Sequence, residues 1–289
     1  VNQYVFAARN VADKFGKIIR NPGMMQFYWQ TYIKSRFVAI EPDIYIVSYP
    51  KCGRTWLRIL LQQYLKLADI PTQQFTDTSL FAIPGKYSIK FAHDQGTWVP
   101  APPRLKNLSF NRKRYRGKKV IFLVRDPRDV LVSSWYHLRY REHIYRDDLG
   151  AFVRDELIGI HKVIAFMNMW MDHRHIPQDF LLVAYEQMHT APLDTAQKIL
   201  AFLQLDTNTE LVQRALDESS FENMKKMETS GSLKEPWMRP GTSGSNNALK
   251  VRKGKMGSFR EELSEEDIAF VNQAIRAHLN PELCYHEDP

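Results

Sequence analysis

Cysteine is almost missing from this chain. The 289 residues include two, Cys52 and Cys284, too few and too far apart for a disulfide framework or the paired spacing of a metal site. A reducing, cytoplasmic setting is the default expectation, and metal-dependent catalysis has no visible ligand set. Long hydrophobic runs are missing too. None reaches the roughly 18 apolar residues of a spanning helix, and the N-terminal residues lack the apolar core of a signal peptide, so a soluble protein with no membrane partner is expected. The chain opens on Val1 rather than Met, which leaves a trimmed leader or anchor open. No internal repeat is visible. Charge of one sign is in modest excess: 40 Lys+Arg against 32 Asp+Glu give +8, which favours phosphorylated or polyanionic ligands but is too mild to imply nucleic acid. A solvated basic surface explains it equally well. What is present is core-forming material, 44% hydrophobic and 12% aromatic, enough for one domain over residues 1–289.

The most informative stretch is Tyr49-Pro50-Lys51-Cys52-Gly53-Arg54-Thr55-Trp56. Before it, residues 43–49 read as a buried strand. After it, Leu57, Leu60, Leu61, Tyr64, Leu65 and Ala68 recur at helical spacing. The turn therefore opens a helix, whose first N–H groups lack intrahelical partners and favour an anion. Lys51 and Arg54 add charge and Thr55 a hydroxyl. The triphosphate motif G-x-x-x-x-G-K-[ST] is absent, since Gly53 is the one glycine here and Lys51 precedes it.

The theme recurs. Val120–Val124 is an apolar strand candidate followed by Arg125-Asp126-Pro127-Arg128-Asp129 and a helical stretch from Val130 to Glu142. Phe180–Ala184 is another strand candidate, with a helix from Thr195 to Leu203, and Tyr87–Ala92 alternates like a strand ending at His93. This alternation predicts an α/β fold with a parallel central sheet flanked by helices. Ligands of such sheets sit beyond the strands' carboxyl ends, where Lys51, Arg125 and Tyr185 fall. Residues 228–250, rich in Gly, Ser, Pro and Asn, read as a long mobile loop over the ligand site or a plain surface excursion. Ser264-Glu265-Glu266-Asp267 resembles a capping box before a final amphipathic helix carrying Ile268, Val271, Ile275 and Leu279.

Residues 49–56, Arg125-Asp-Pro-Arg-Asp-Val-Leu-Val-Ser133 and Arg252-Lys253-Gly254 stand in the order of the signature segments of the PAPS-dependent sulfotransferases, with Tyr185-Glu186-Gln187-Met188 and Ser219-Ser220-Phe221 as smaller landmarks between them. From about residue 43 to 260 the chain resembles the soluble cytosolic or bacterial branch of that family. The resemblance implies a P-loop-like sulfotransferase fold and 3′-phosphoadenylyl sulfate (PAPS) as donor, with PAP as product. It assigns the 5′-phosphosulfate to Lys51, Cys52, Gly53, Arg54 and Thr55. Adenine goes to Trp56 and Phe221, with Ser219 nearby. The 3′-phosphate goes to Arg125, Ser133, Arg252, Lys253 and Gly254, and Tyr185 contacts the nucleotide.

Arg125 and Ser133 make sense without the resemblance, because a guanidinium fork and a hydroxyl together suit a phosphate. The bland alternative is a local Arg125–Asp126 salt bridge. In-line sulfuryl transfer develops charge on the leaving oxygen, and Lys51 is the candidate to meet it. An acceptor must also lose a proton. His93, in Lys90-Phe91-Ala92-His93-Asp94, stands where this family carries its base, with His137 as the rival.

Several features depart from the family pattern. Cys52 and Arg54 replace small hydroxyl residues, and a helix start could lower the Cys52 thiol pKa, although direct transfer needs no nucleophilic cysteine. Phe91 stands where a lysine often precedes the base, with Lys90 one step back. Ser258-Phe259 replaces an acidic-aromatic pair, and the C-terminal dimerisation motif is not evident, which leaves monomer and dimer equally open. Phe91, Asp94, Trp98, Tyr136, His137 and Trp237 are candidates for a small-molecule acceptor pocket; phenols, alcohols, amines and sugars are not separated. A nucleotide kinase, or a non-catalytic polyanion binder, is the alternative to a sulfotransferase.

Overall fold

The computed structural model describes residues 41–75, 79–94, 96, 108–143, 145–230, 246–252 and 254–286. Its centre is strand β1 (Ile44–Ser48), buried at all five positions. A strand covered on both faces reads as an unbroken apolar run, as this one does. Strands β2 (Gln73–Gln74), β3 (Leu80–Ile83), β4 (Tyr87–Ala92), β5 (Lys119–Val124) and β6 (Asp179–Ala184) complete a six-stranded sheet in the order β2-β3-β4-β1-β5-β6. The four strands β4, β1, β5 and β6 run parallel, as the alternating pattern predicts.

The other edge differs, because β3 pairs antiparallel with both β2 and β4. Pro84-Gly85 is the reason. Gly85 takes φ 76° and the Lys86 N–H donates to the Ile83 carbonyl at 3.0 Å, so the chain reverses in a tight turn with glycine at its left-handed position. A hairpin replaces a crossover, and the short β3 is lost to periodicity alone.

Register sets the function of this sheet. Val47 lies beside both Ala92 and Phe122, and Val124 beside Ala184. The carboxyl ends of β1, β4, β5 and β6 therefore lie along one rim, and the residues that follow them emerge together.

Helix α1 (Arg54–Leu67) buries Leu57, Leu60, Leu61, Tyr64 and Leu65, the spacing expected of an inward face. Helix α2 (Pro127–Tyr136) starts with the Asp126 side chain accepting from the Arg128 N–H and Pro127 at its first turn. It continues as a π-helical turn over His137–Arg141, where the expected α-helix to Glu142 would have run. Helix α3 (Ile160–Asp172) is apolar nearly all round. Its Phe166 and Trp170 rings lie 6.1 and 5.6 Å from Phe122 of β5, and burying each such side chain contributes about 1.5–3 kcal/mol.

Helices α4 (Pro192–Phe202), α5 (Thr209–Glu218) and α6 (Phe221–Ser230) follow β6, and α7 (Glu265–His278) closes the fold. The Ser264 hydroxyl oxygen caps α7 by accepting from the Asp267 N–H, and Val271, Ala274 and Ile275 are its buried face. Helix α6 runs through Ser230, three residues into the segment expected to be loop, and a 3-10 turn forms at Asn246–Ala248. The intervening residues 231–245 lie outside the described residues. Among the described residues, no helix is long and apolar enough to cross a membrane.

Candidate functional site

The rim formed by β1, β4, β5 and β6 opens into a cavity of about 190 Å³, walled by Lys51, Gly53, Arg54, Thr55, Trp56, His93, Arg125, Ser133, His137, Tyr185, Phe221, Lys250, Arg252 and Gly254, among others. Residues from six separate stretches of sequence thus meet in one place.

The turn after β1 makes the floor. Lys51 adopts φ 73° and Gly53 φ 87°, the left-handed region that favours glycine. At Gly53 glycine is also needed for space, because a Cβ would sit 2.6 Å from Cδ2 of Tyr185. Cys52 faces the other way. It is fully buried, and burial pushes its thiol up, opposite to the lowering that a helix start could give.

Arg125 follows β5 and is held rather than free. Its Nη2 donates to Asp129 Oδ2 at 3.1 Å and to the Lys255 carbonyl at 3.2 Å, and its Nη1 to the Lys51 carbonyl at 3.4 Å. Its guanidinium lies 4.3 Å from the Tyr185 ring centre. Its Nε is buried without a partner among the described residues, an N–H that a ligand would satisfy. The local Arg125–Asp126 pair does not form. Asp126 instead takes the buried Arg128 at 2.8 Å, and Arg128 reaches Asn272 on α7 at 3.1 Å. Asp129 also accepts from the Gly257 and Phe259 N–H groups and the Ser258 hydroxyl, so one carboxylate ties Arg125 to the segment after Gly254.

Trp56 and Phe221 belong to a small apolar cluster with Ile59, Met224 and Val251. The Trp56 Nε1–H donates to the Ser219 carbonyl at 2.9 Å. Ser219 itself is fully buried, its hydroxyl donates to the Ala215 carbonyl at 2.8 Å, and it meets the cavity wall through its carbonyl on Trp56. Gly254 has φ 60°, and a Cβ there would lie 2.2 Å from the Phe221 ring. Chain and ring touch, so this glycine is required.

His93 leaves β4 into a tight turn in which the Gly96 N–H donates to its carbonyl at 2.7 Å. Its Nδ1 lies 2.9 Å from the Ser48 carbonyl. A carbonyl can only accept, so Nδ1 carries the proton and Nε2 is left with its lone pair. Burial, then the Arg54 charge, hold this imidazole well below its ordinary value, and it is neutral at pH 7. His137 also borders the cavity, but its Nε2 meets Glu142 Oε1 at 3.3 Å.

The wall carries more cations than the sequence reading assembled. Burial, then Arg141 and Arg125, pull the Lys51 ammonium down to about 8. Lys250 is lowered by burial and by Arg141, Lys51, Arg54 and Arg58. Lys250 is the main residue missed, although its position two before Arg252 is a signal, since alternate residues of an extended chain share a face. Glu228, which is fully buried, accepts from Arg141 at 3.0 Å and from the Lys250 and Val251 N–H groups at 2.8 and 3.0 Å. Eighty-seven residues separate Arg141 from Glu228, so no local pattern could announce that clasp.

Of the acceptor candidates, His137 alone among the described ones lines the cavity. Phe91 is buried in the core beneath the Arg58 guanidinium, 4.4 Å from its ring centre. Asp94 faces Tyr115, whose hydroxyl is pushed up by burial and then by the Asp94 charge. The Tyr136 hydroxyl donates to Glu262 at 2.7 Å and its ring lies 3.7 Å below the Arg252 guanidinium. Arg252 also pairs with Glu262 at 3.2 Å, so Tyr136 braces a wall residue. Trp98, Trp237 and Lys253 lie outside the described residues. Among the described residues, no three His, Cys, Asp or Glu side chains gather as a metal ion would require.

Residues 41–281 match the family model described as sulfotransferase domain. The chain is 24% identical over 264 residues to cytosolic sulfotransferase 12 of Arabidopsis thaliana, covering 84% of this chain and 78% of that protein. It is 25% identical over 272 residues to human sulfotransferase 2B1, covering 86% and 70%. Among solved structures, mouse sulfotransferase SULT7A1 complexed with PAP aligns with TM-score 0.58 at 20% identity, covering 84% and 86%. Retinol dehydratase in complex with androsterone and inactive cofactor PAP aligns with TM-score 0.58 at 18% identity, covering 81% and 80%. At these identities the structural likeness speaks for the fold.

Proposed function

Because the chain belongs to the sulfotransferase domain family, we propose that it transfers the sulfuryl group of PAPS to a hydroxyl or amine of a small-molecule acceptor, with His93 as base and Lys51 at the leaving oxygen. The observation that carries this reading is that His93, Lys51 and Arg125 wall one cavity while the Ser48 carbonyl keeps His93 in the tautomer whose Nε2 can accept a proton.

The wall suits such a donor. The buried Nε–H of Arg125, unpartnered among the described residues, the Ser133 hydroxyl and Arg252 would hold a 3′-phosphate, with Lys253 and Gly254 beside them. Trp56, Phe221 and Tyr185 would enclose the base, and the loop of Lys51, Gly53 and Thr55, with the backbone of Cys52 and Arg54, would take the 5′ side. When bound, PAPS supplies an activated sulfuryl group whose bridging oxygen gains charge as the bond breaks.

Lys51 would stabilise that charge from a water-poor wall, where a fixed cation acts more strongly than in water. His93 Nε2 would take the acceptor proton, and the Ser48 carbonyl would stabilise the imidazolium through Nδ1–H. The first test compares thermal stabilisation by PAP, ADP and AMP, since a ligand of the folded state raises stability with occupancy. Selective stabilisation by PAP is expected; a response to ADP alone would move the reading to a phosphotransferase, and no response would favour a non-catalytic polyanion binder.

A further inference from the structure

The buried carboxylate of Glu228 takes no part in the proposed chemistry, yet two other segments meet on it. Glu228 stands near the end of α6, four residues after Met224 and seven after Phe221, a spacing that puts all three on one helix face. Residues 250–254 lie against that face. At one end Glu228 accepts from the Lys250 and Val251 N–H groups at 2.8 and 3.0 Å. Val251 then packs with Met224. At the other end Gly254 touches the Phe221 ring so closely that a Cβ would collide with it.

Arg141 completes the clasp. It closes the π-helical turn that continues α2, a wide turn that recurs at functional sites, and α2 is the helix of Ser133. Its Nη1 donates to Glu228 Oε1 and to the Ala248 carbonyl, each at 3.0 Å. One guanidinium and one carboxylate thus hold residues 248, 250 and 251 between α2 and α6. Arg252 comes next, and Arg252 and Gly254 both wall the cavity.

Burying an ion pair costs desolvation of both partners, and apolar side chains of similar volume often replace one with no loss of stability. Stability alone therefore gives no reason for this pair. What it supplies is the direction of the backbone just before the phosphate-binding residues. Resting on the sulfotransferase reading, we infer that Arg141 and Glu228 are a positioning pair: they hold residues 250–252 in the course that presents Arg252 and the Gly254 turn to the donor's 3′-phosphate.

The test is calorimetry of PAP beside AMP, which differs from it by the 3′-phosphate alone. Arg141 is also among the charges that, after burial, lower Lys51, and an effect by that route reaches both ligands through their 5′-phosphates and cancels in the ratio of their affinities. The double variant Arg141→Met with Glu228→Leu removes both charges at once and strands neither in the interior, so thermal stability without ligand should be kept. The preference for PAP over AMP is expected to fall by about tenfold or more, the scale of a hydrogen bond to a charged group. Should the double variant fail to fold, Glu228→Gln, of the same size without the charge, is read in the same way and should lose the same preference. An unchanged preference, or equal losses for PAP and AMP, in the folded variant would make the pair a structural support and overturn the inference while the donor reading stands. A wild-type protein that binds PAP no better than AMP removes the donor reading itself and the inference with it.

Discussion

The two walls of the cavity use positive charge differently. On the side where Arg125 and Arg252 stand, each guanidinium is braced by a carboxylate, Asp129 at 3.1 Å and Glu262 at 3.2 Å. On the side of Lys51 and Arg54, no carboxylate among the described residues pairs with either. A braced arginine keeps its orientation without ligand and offers its remaining N–H groups at little ordering cost. A cation without such a brace is held down by burial and by neighbouring charge, as Lys51 is by burial and then by Arg141 and Arg125, and gains most when an anion arrives. The first arrangement suits recognition of a group that stays; the second suits charge that develops or moves during reaction.

That contrast can be broken most sharply at the unbraced side. His93→Ala is expected to lower turnover by about 10²–10⁴-fold, the range of general-base catalysis, with PAP affinity unchanged by calorimetry; parallel loss of both would make His93 structural. Lys51→Met should lower kcat by about 10²–10³-fold. In the wild-type protein the Lys51 charge is lost as pH rises through about 8, so PAP affinity should fall above that pH, and a titration of Lys51→Met should lack that limb.

The braced side answers in affinity. Arg125→Ala should weaken PAP by about 1.5–3 kcal/mol with little effect on ADP, which lacks the 3′-phosphate, and equal losses for both would remove Arg125 from that role. The smallest effect belongs to the bracing itself. Tyr136→Phe deletes the hydroxyl that donates to Glu262 and should weaken PAP by about 1 kcal/mol or less, with kcat unmoved; a large drop in kcat would place Tyr136 at the reaction instead.

Much of this was legible without coordinates. The run at residues 44–48 has the apolar continuity of a twice-covered strand, and Lys51, Arg125 and Tyr185 each directly follow such a run, so their convergence follows from a parallel sheet. The antiparallel edge was missed because Leu80–Ile83 is four residues long, too short for a period to show. Phe91 and Asp94 were placed at the acceptor because they flank His93, yet Phe91 packs into the core beneath Arg58 and Asp94 faces Tyr115, while His93 lies past the end of the strand. Tyr136 and Ser219 sit near the cavity but act through neighbours, a relation that adjacency in sequence does not encode.

Local chemistry by itself determined the parallel strands, the turn at Gly53, the helix starts and which residue types reach the rim, because dihedral preference and side-chain period act over a few residues. Tertiary structure alone decided which charge meets which. Arg125 and Arg128 stand three apart in one motif, and only packing against Tyr185 and Asn272 sends one to the cavity and the other to the core. The proton on His93 is placed by a carbonyl 45 residues away, and the Glu228 clasp joins segments that no short pattern links. Partner choice depends on what the folded chain brings within about 3 Å, the range over which a hydrogen bond is decided, and that distance has no counterpart along the sequence.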